Sequence, residues 1–303
     1  MADVSTITNP STGTTYNIKD ATARGGVSTL TNNESYDRQL LNGTYEGRNI
    51  LTALGVSTFD AAVAAMHTLA TSRNAGELRL GDYIDVKPTV STVNKGANIR
   101  YRIAGIGHCY QFGDQSCPWA FWMVPDAPID MTGSTYAINT SYIYWNTTAT
   151  NNGTAEQPMP YLASNLHKWE LEQFVPAMPT SLQNVMVNHR ILFEKRYSAG
   201  GALEESTDWG WGDAGKAFSL SETEVYGQCV WGTKGWSVGA DAQLPLFALE
   251  PRRRLSGNRV YRWLRSVRAG STSIVCYVSN TGLASSGSAT YTSVRPWPCF
   301  LLG

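Results

Sequence analysis

The chain has 303 residues, enough for one large domain or two ordinary ones with a sizeable buried core. Its 24 lysines and arginines balance 24 aspartates and glutamates, so the net charge gives no argument for binding nucleic acid or an acidic surface. Only 16% of the residues are charged, whereas Gly, Ser, Thr, Asn and aromatic residues are plentiful, which is typical of strands and loops. No apolar run reaches the length of a membrane span, and the first residues lack the pattern of a signal peptide. We therefore expect neither membrane insertion nor export by the secretory route.

The first 50 residues are rich in Thr, Asn and Gly and contain few large apolar side chains. Such a segment cannot bury enough apolar surface to fold alone, so we expect it to become ordered against a neighbouring chain. Within it, Thr14–Ile18 favours a short strand. The next residues, Lys19 to Arg24, favour a brief helix or turn.

The clearest predicted helix lies within residues 51–76. Ser57 is placed to cap its N-terminus, and Asp60 falls in its first turn. Apolar side chains recur at helical spacing on one face: Phe59, Val63, Met66 and Ala70. A face of this kind usually packs against other protein, and here it is a candidate seam for self-association.

From residue 77 onward the sequence predicts a large α+β domain. Three stretches favour strands: LRLGDYIDV (78–86), NIRYRIAGIG (98–107) and WAFWMVP (119–125). Residues 129–158 are rich in Thr and Asn and predict a long surface excursion. Residues 161–175 predict an amphipathic helix, followed by a second one from Thr180 or Ser181 to Val187. Later residues favour strands and turns, except that Ser221 and Glu224 have the spacing of a helix capping box.

Motifs for catalysis or cofactor binding are weak. Gly210, Gly212 and Gly215 form a GxGxxG pattern, but no apolar strand precedes it and no helix-forming run follows, so a dinucleotide site is disfavoured. The four histidines are far apart, and the five cysteines include no CxxC pair, which favours buried thiols over a metal site or disulfides. The arginines between 252 and 268 form too local a basic segment to indicate nucleic-acid binding. We predict no cofactor and no metal.

Two stretches resemble proteins of known kind. YNIKDATAR (Tyr16–Arg24) resembles an element near the N-terminus of many tail, collar and fibre proteins of phages that infect Gram-positive gut bacteria. The order FSLSETEVYG, VWG, LPLF, YRWLRSV, VCYVSNTG and SVRPWPCF, within residues 218–300, resembles a C-terminal domain of unknown function in phage structural and bacterial surface proteins. With LRLGDYIDV and MVPDA upstream, the resemblance covers most of residues 77–303. This order is similar to the C-type-lectin-like fold, which phage tropism determinants and formylglycine-generating enzymes share.

The resemblance implies three parts: a particle-attachment module (1–50), a linker or oligomerisation helix (51–76) and a C-type-lectin-like display domain (77–303). In the first part, the residues implied to dock on the virion are Tyr16, Ile18, Lys19, Asp20 and Arg24. In the last, the residues implied to form a scaffold are Trp263, Arg265, Arg295 and Pro296. Between them, short polar and aromatic side chains are implied to form a ligand surface: Arg268, Ser271, Thr272, Tyr277, Ser279, Asn280, Ser285, Ser288, Thr290 and Tyr291. Antibody paratopes use a similar composition.

The function that follows as an expectation is that of a non-enzymatic virion protein, made in the cytoplasm of a bacterial host. Its expected partners are other virion proteins, a host-surface glycan or protein, and further copies of itself, by analogy as a trimer. One alternative is a purely structural capsid decoration or head-fibre protein. A remote alternative is an enzyme of the formylglycine type, for which Cys276 and Cys299 are the candidate reactive pair. A calcium-dependent lectin site is disfavoured because residues 256–303 contain no Asp or Glu.

Overall fold

A computed structural model describes residues 6–17, 21–112, 117–131, 134–139, 141–234, 242–255 and 257–303. The chain divides into two compact units, Met1–Tyr45 and Glu46–Gly303. Both helices and strands are well represented, which confirms the predicted α+β class.

The N-terminal unit contains a strand hairpin and a long helix. Strands β1 (Thr6–Thr8) and β2 (Thr15–Asn17) pair in antiparallel fashion, and helix α1 runs over Ala21–Leu41. The prediction of only a brief helix or turn up to Arg24 was wrong, because polar residues fill most of α1 and no apolar stripe indicates a helix. Leu30 is 70% exposed on this helix. Of the residues implied to dock on a virion, Tyr16 lies on β2, Arg24 lies on α1, and the other three fall outside the described residues.

The larger unit is built around two sheets and a separate hairpin. The five-stranded antiparallel sheet has the order β3-β4-β5-β13-β6. Its strands are β3 (Tyr83–Val86), β4 (Ile99–Ile106), β5 (Phe121–Pro125), β6 (Met186–Val187) and β13 (Phe300–Leu302). The first three lie within the three predicted strand stretches. Because the last strand of the chain lies between β5 and β6, the C-terminal segment completes the core of this unit.

The second sheet carries the segment that sequence analysis singled out. Its order is β11-β10-β9-β12, with β12 parallel to β9 and the other pairs antiparallel. Its strands are β9 (Tyr261–Val267), β10 (Ile274–Val278), β11 (Ala284–Ser288) and β12 (Val294–Arg295). The separate hairpin consists of β7 (Arg190–Glu194) and β8 (Trp209–Asp213).

Short helices cover these sheets. They are α2 (Ile50–Ala53), α3 (Phe59–Thr71), α4 (Pro160–Ala163), α5 (Asn165–Trp169), α6 (Thr180–Val185), α7 (Glu222–Tyr226) and α8 (Pro245–Leu249). The single amphipathic helix predicted for residues 161–175 is divided at Ser164, whose hydroxyl accepts a hydrogen bond from the N–H of His167 at 3.1 Å and so caps a new helix. A π-helical turn, Glu170–Phe174, continues it.

Helix α3 belongs to the larger unit. Its N-cap is Thr58, one residue after the predicted Ser57, and the Thr58 hydroxyl accepts from the N–H of Ala61 at 3.2 Å. The apolar face predicted from spacing packs inside this unit, with contacts to α6 and β13, and Val63 and Met66 are buried. The boundary between units therefore lies after Tyr45, and the buried face of α3 is already used by the core.

Among its described residues, the segment 129–158 is only partly exposed, so the prediction of a surface excursion along its whole length was wrong. Ile129, Met131, Ile143 and Trp145 are all buried. The indole N–H of Trp145 donates to the carbonyl of Leu264 on β9 at 3.0 Å. Few apolar residues in a Thr- and Asn-rich segment give no periodic pattern, so only the folded chain reveals that they fill the core.

Candidate functional site

Strand β9 is held in place by a buried ion pair. The guanidinium of Arg265 donates to both carboxylate oxygens of Glu224, at 2.5 and 2.7 Å, and both side chains are buried. The same Glu224 closes the capping box of α7, accepting from the N–H of Ser221 at 2.9 Å, which confirms that prediction. Burial by itself raises the pKa of Glu224, but the charge and hydrogen bonds of Arg265 outweigh burial and hold this pKa below its usual value.

The other residues implied to form the scaffold are also held by the surrounding chain. The indole N–H of Trp263 donates to the carbonyl of Ile143 at 2.8 Å, and Trp263 is fully buried. At the far end, the Arg295 guanidinium lies 5.4 Å from the ring centre of Tyr142, and the carbonyl of Pro296 accepts from the N–H of Ile129 at 2.9 Å. Both ends of the β9–β12 segment are therefore anchored to residues 129–145.

Between these anchors, three tyrosines gather on one side of the sheet. The ring centre of Tyr277 on β10 lies 5.4 Å from that of Tyr261 and 6.0 Å from that of Tyr291. Gly287 on β11 leaves room for them, since a Cβ there would lie 3.1 Å from the ring of Tyr277. Ser285 stands opposite Tyr277 in the strand pairing. We call Tyr261, Tyr277, Ser285, Gly287 and Tyr291 the tyrosine face; all except the buried Tyr277 are half-buried.

Several hydroxyls among the implied ligand-binding residues stabilise turns. The hydroxyl of Ser279 accepts from the N–H of Leu283 at 3.1 Å. That of Ser288 accepts from the N–H of Thr290 at 3.2 Å, and that of Ser271 accepts from the N–H of Ile274 at 3.2 Å. Their contribution to the local backbone explains their presence without a ligand.

The structure therefore divides the ten implied ligand-binding residues. Tyr277, Ser285 and Tyr291 meet on the tyrosine face. Six others lie in the turns that flank β10, at the last residue of β11 or just after it: Ser271, Thr272, Ser279, Asn280, Ser288 and Thr290. Arg268 is the remaining residue, and its side chain contacts residues that lie apart from the tyrosine face.

Arg268 belongs to a second cluster that sequence reasoning missed. Its guanidinium lies 5.0 Å from the ring centre of Trp231, and its Nη1 donates to the hydroxyl of Ser286 at 3.2 Å. Trp231 is 41% exposed. We call Trp231, Arg268 and Ser286 the Trp231 surface. The VWG motif was noted in the sequence, but a lone tryptophan predicts a core position as readily as an exposed one.

The thiols are in apolar or hydrogen-bonded surroundings. All five cysteines are free thiols; Cys117, Cys276 and Cys299 are buried and Cys109 and Cys229 are half-buried, so the prediction of buried thiols holds for three of the five. Burial raises the pKa of both, and the carboxylate of Glu222 adds to the effect at Cys276. A raised pKa suppresses the thiolate, which is the reactive form.

We expect Cys276 and Cys299 to be alkylated slowly by iodoacetamide in the native protein, and the half-buried Cys109 and Cys229 to react first. Mass spectrometry after timed alkylation measures the order of labelling. A sample denatured in urea, in which all five thiols should react, is the control. Rapid labelling of Cys276 or Cys299 in the native protein would contradict this arrangement and favour a reactive pair.

A small cavity of about 70 Å³ lies beside the Arg265–Glu224 pair, and Glu194, Trp209 and Cys229 also line it. A space of this size holds a few water molecules. Glu194 is buried and ion-paired with the Nε of Arg196 at 2.9 Å. Among the described residues, no group of three or more His, Cys, Asp or Glu side chains is placed to hold a metal ion. The two charged side chains that line the cavity are each ion-paired with a residue outside the lining, Glu194 with Arg196 and Arg265 with Glu224.

Within the described part of the chain, no helix has the length and apolar character needed to cross a membrane. Comparison with curated proteins and with solved structures finds no match for the chain. Residues 134–302 match a protein family described as "Domain of unknown function (DUF6273)". This match covers more than half of the sequence and includes the anchors, the tyrosine face and the Trp231 surface, so the chain belongs to the DUF6273 family.

Proposed function

We propose that this chain is a non-enzymatic structural protein of a bacteriophage virion, whose C-terminal domain has the C-type-lectin-like fold and binds a receptor on the host surface. One observation carries the proposal: the tyrosine face extends over β9, β10 and β11, and β9 is anchored in the core through Trp263. Tyr261 and Tyr291 are half-buried, so they present part of their aromatic surface to a ligand. Aromatic side chains on a rigid support are the residues that dominate recognition surfaces.

The rigid packing beneath the tyrosine face favours a binding role over a catalytic one. Trp263 packs against Tyr277 with ring centres 5.9 Å apart, and its indole N–H is bonded to the backbone of residue 143. The half-buried residues of β11 lie outside these anchors, so substituting them changes the ligand surface at little cost to the core. The raised pKa of Cys276 and Cys299 argues against the formylglycine-type alternative.

The N-terminal unit supports attachment to other proteins. Its helix α1 has 21 residues, and Leu30 and Leu41 on it are 70% and 75% exposed. Most helical stability in proteins comes from packing against other parts of a fold, so a partner surface that covers these leucines would stabilise the helix. We propose that residues 1–50 contact other virion proteins and that the display domains assemble as a homotrimer.

The binding role is tested with fluorescently labelled protein on a panel of Gram-positive gut bacteria. We expect the Tyr291→Ala variant to bind a permissive strain at least about tenfold more weakly than wild type, the loss typical of a central aromatic contact. Tyr197→Ala is the matched control, since Tyr197 is 42% exposed and lies outside the tyrosine face. Circular dichroism checks that both variants remain folded.

Two outcomes would contradict the proposal. If wild-type protein binds no strain of the panel but restores the stability of particles that lack it, the chain is a structural decoration protein. If Tyr291→Ala and Tyr197→Ala bind cells as wild type does, the tyrosine face is not the receptor surface.

A further inference from the structure

Trp231 is exposed, yet it is held in place from three directions. Its backbone N–H donates to the Glu222 carboxylate at 3.0 Å, and its carbonyl accepts from the N–H of Ala269 at 2.9 Å. Its indole N–H donates to the carbonyl of Ala284 at 3.3 Å. An indole that keeps 41% of its surface exposed while its position is fixed loses little entropy when a ligand packs on it.

The loop that carries Trp231 is organised by one buried carboxylate. Glu222 accepts hydrogen bonds from three successive backbone N–H groups, those of Val230 at 3.1 Å, Trp231 and Gly232 at 2.7 Å. Burial raises the pKa of Glu222, although these hydrogen bonds act in the opposite direction. A buried carboxylate that fixes an exposed loop is a positioning group, of the kind that supports a binding residue from behind.

The charge beside the indole has no acidic neighbour in the C-terminal segment. Arg268 makes no ion pair with a carboxylate among the residues that the structure describes, and residues 256–303 contain no Asp or Glu. A guanidinium has five N–H donors. Among the described residues, the Ser286 hydroxyl is the group that accepts a hydrogen bond from the Arg268 guanidinium. The half-buried guanidinium therefore has donors available for an anion next to an apolar aromatic surface.

We propose that the Trp231 surface binds an anionic saccharide, whose sugar ring packs against the indole and whose acidic group accepts hydrogen bonds from Arg268. An indole offers a flat apolar surface to the C–H face of a pyranose, and a guanidinium binds a carboxylate or phosphate through paired hydrogen bonds. The Ser286 hydroxyl lies 3.2 Å from Arg268 Nη1 and can bond a sugar hydroxyl. This assignment rests on the proposed function, because it gives the same display domain a second contact with the host surface, apart from the tyrosine face, and names the chemical class of ligand bound there.

The acidic group can come from a uronic acid or from a sugar phosphate, and calorimetry on the full chain distinguishes them. The probes are a galacturonate trisaccharide, its neutral methyl ester, and glucose 6-phosphate. We expect one of the two anionic probes to bind at least about tenfold more tightly than the ester, and its binding to weaken as salt is added. Binding of the trisaccharide identifies a uronate ligand, and binding of the phosphate alone identifies a sugar-phosphate ligand.

Two variants and one control locate the site. Arg268→Gln should lower the affinity for the anionic probe about tenfold or more and abolish the preference for that probe over the neutral ester. Trp231→Phe, which keeps a smaller aromatic ring, should lower this affinity by a smaller factor. Arg259→Gln removes a charge from an exposed arginine of the same segment and should leave binding unchanged. Equal affinity for acid and ester, unchanged binding by Arg268→Gln, or equally tight binding of an acidic peptide such as oligoglutamate would overturn the assignment.

Cell binding separates this inference from the proposed function. If wild type and Arg268→Gln bind a permissive strain equally and the anionic probes do not compete, the saccharide assignment is wrong and the receptor-binding role stands. If the chain binds an anionic saccharide through Arg268 but binds no cells, the site stands and the receptor-binding role is wrong.

Discussion

Replacing Arg265 by leucine should lower the free energy of unfolding by about 3–5 kcal/mol, the usual cost of removing one partner from a buried ion pair. The loss is large because Glu224 stays buried and loses the two hydrogen bonds that satisfy its charge. The lost bond from Arg265 to the carbonyl of Ser219, at 3.0 Å, adds to it. Equilibrium unfolding in urea measures the difference between the variant and wild type.

A surface ion pair is the matched control. Arg100 binds both oxygens of Asp85 at 2.8 and 2.9 Å, but its side chain is 42% exposed. Arg100→Leu should therefore cost no more than about 1 kcal/mol, the usual limit for an exposed pair. Equal losses for the two variants would mean that the Arg265–Glu224 pair is solvated rather than buried.

The pH dependence of stability gives a second readout of this pair. The pKa of Glu224 is lower in the folded protein than its ordinary value of 4.5. The ionised carboxylate therefore contributes fully to the free energy of unfolding above pH 4.5, and this contribution is lost as the pH falls through the folded pKa. The difference in stability between wild type and Glu224→Gln should thus be constant near neutral pH and shrink below about pH 4.5. A difference that grows as the pH falls would contradict the lowered pKa.

Only part of the arrangement around Glu224 could be predicted from the sequence. The capping box of Ser221 and Glu224 is local, so its spacing alone predicted it, and the structure contains it. The partner of Glu224 is 41 residues away, so the charge that holds its pKa low becomes visible only in the fold. Strand positions were also predictable, since β3, β4 and β5 have clear apolar patterning. Helix α1 was not, because it lacks an apolar stripe.

The residues of the candidate site were likewise only partly predictable from the sequence. Alternation along β10 and the pairing of β10 with β11 place Tyr277 and Ser285 on one face, and both were among the residues implied to bind a ligand. Trp231 was missed, since its exposure depends on a loop whose position is set by Glu222. Local sequence indicates which side chains suit a binding surface, whereas long-range contacts decide which of them reach it.

Trp145→Ala should lower the free energy of unfolding by about 3–5 kcal/mol, the range for truncating a buried aromatic side chain. Trp145 is fully buried, its indole N–H donates to the carbonyl of Leu264 at 3.0 Å, and its ring centre lies 6.5 Å from that of Tyr161. Removing the indole opens a cavity and leaves that carbonyl without its donor. Urea unfolding of the variant and of wild type at the same pH measures the loss.

Trp231→Ala is the control that makes this test specific for the segment 129–158. It removes the same side chain from a site that is 41% exposed, so it should cost about 1 kcal/mol, mainly through the lost hydrogen bond to Ala284. If the two variants lose equally little, residues 129–158 form a surface excursion and the anchors of the β9–β12 sheet do not exist as described. A large loss for Trp145→Ala alone means that this Thr- and Asn-rich segment supports, from within the core, the sheet that carries the tyrosine face.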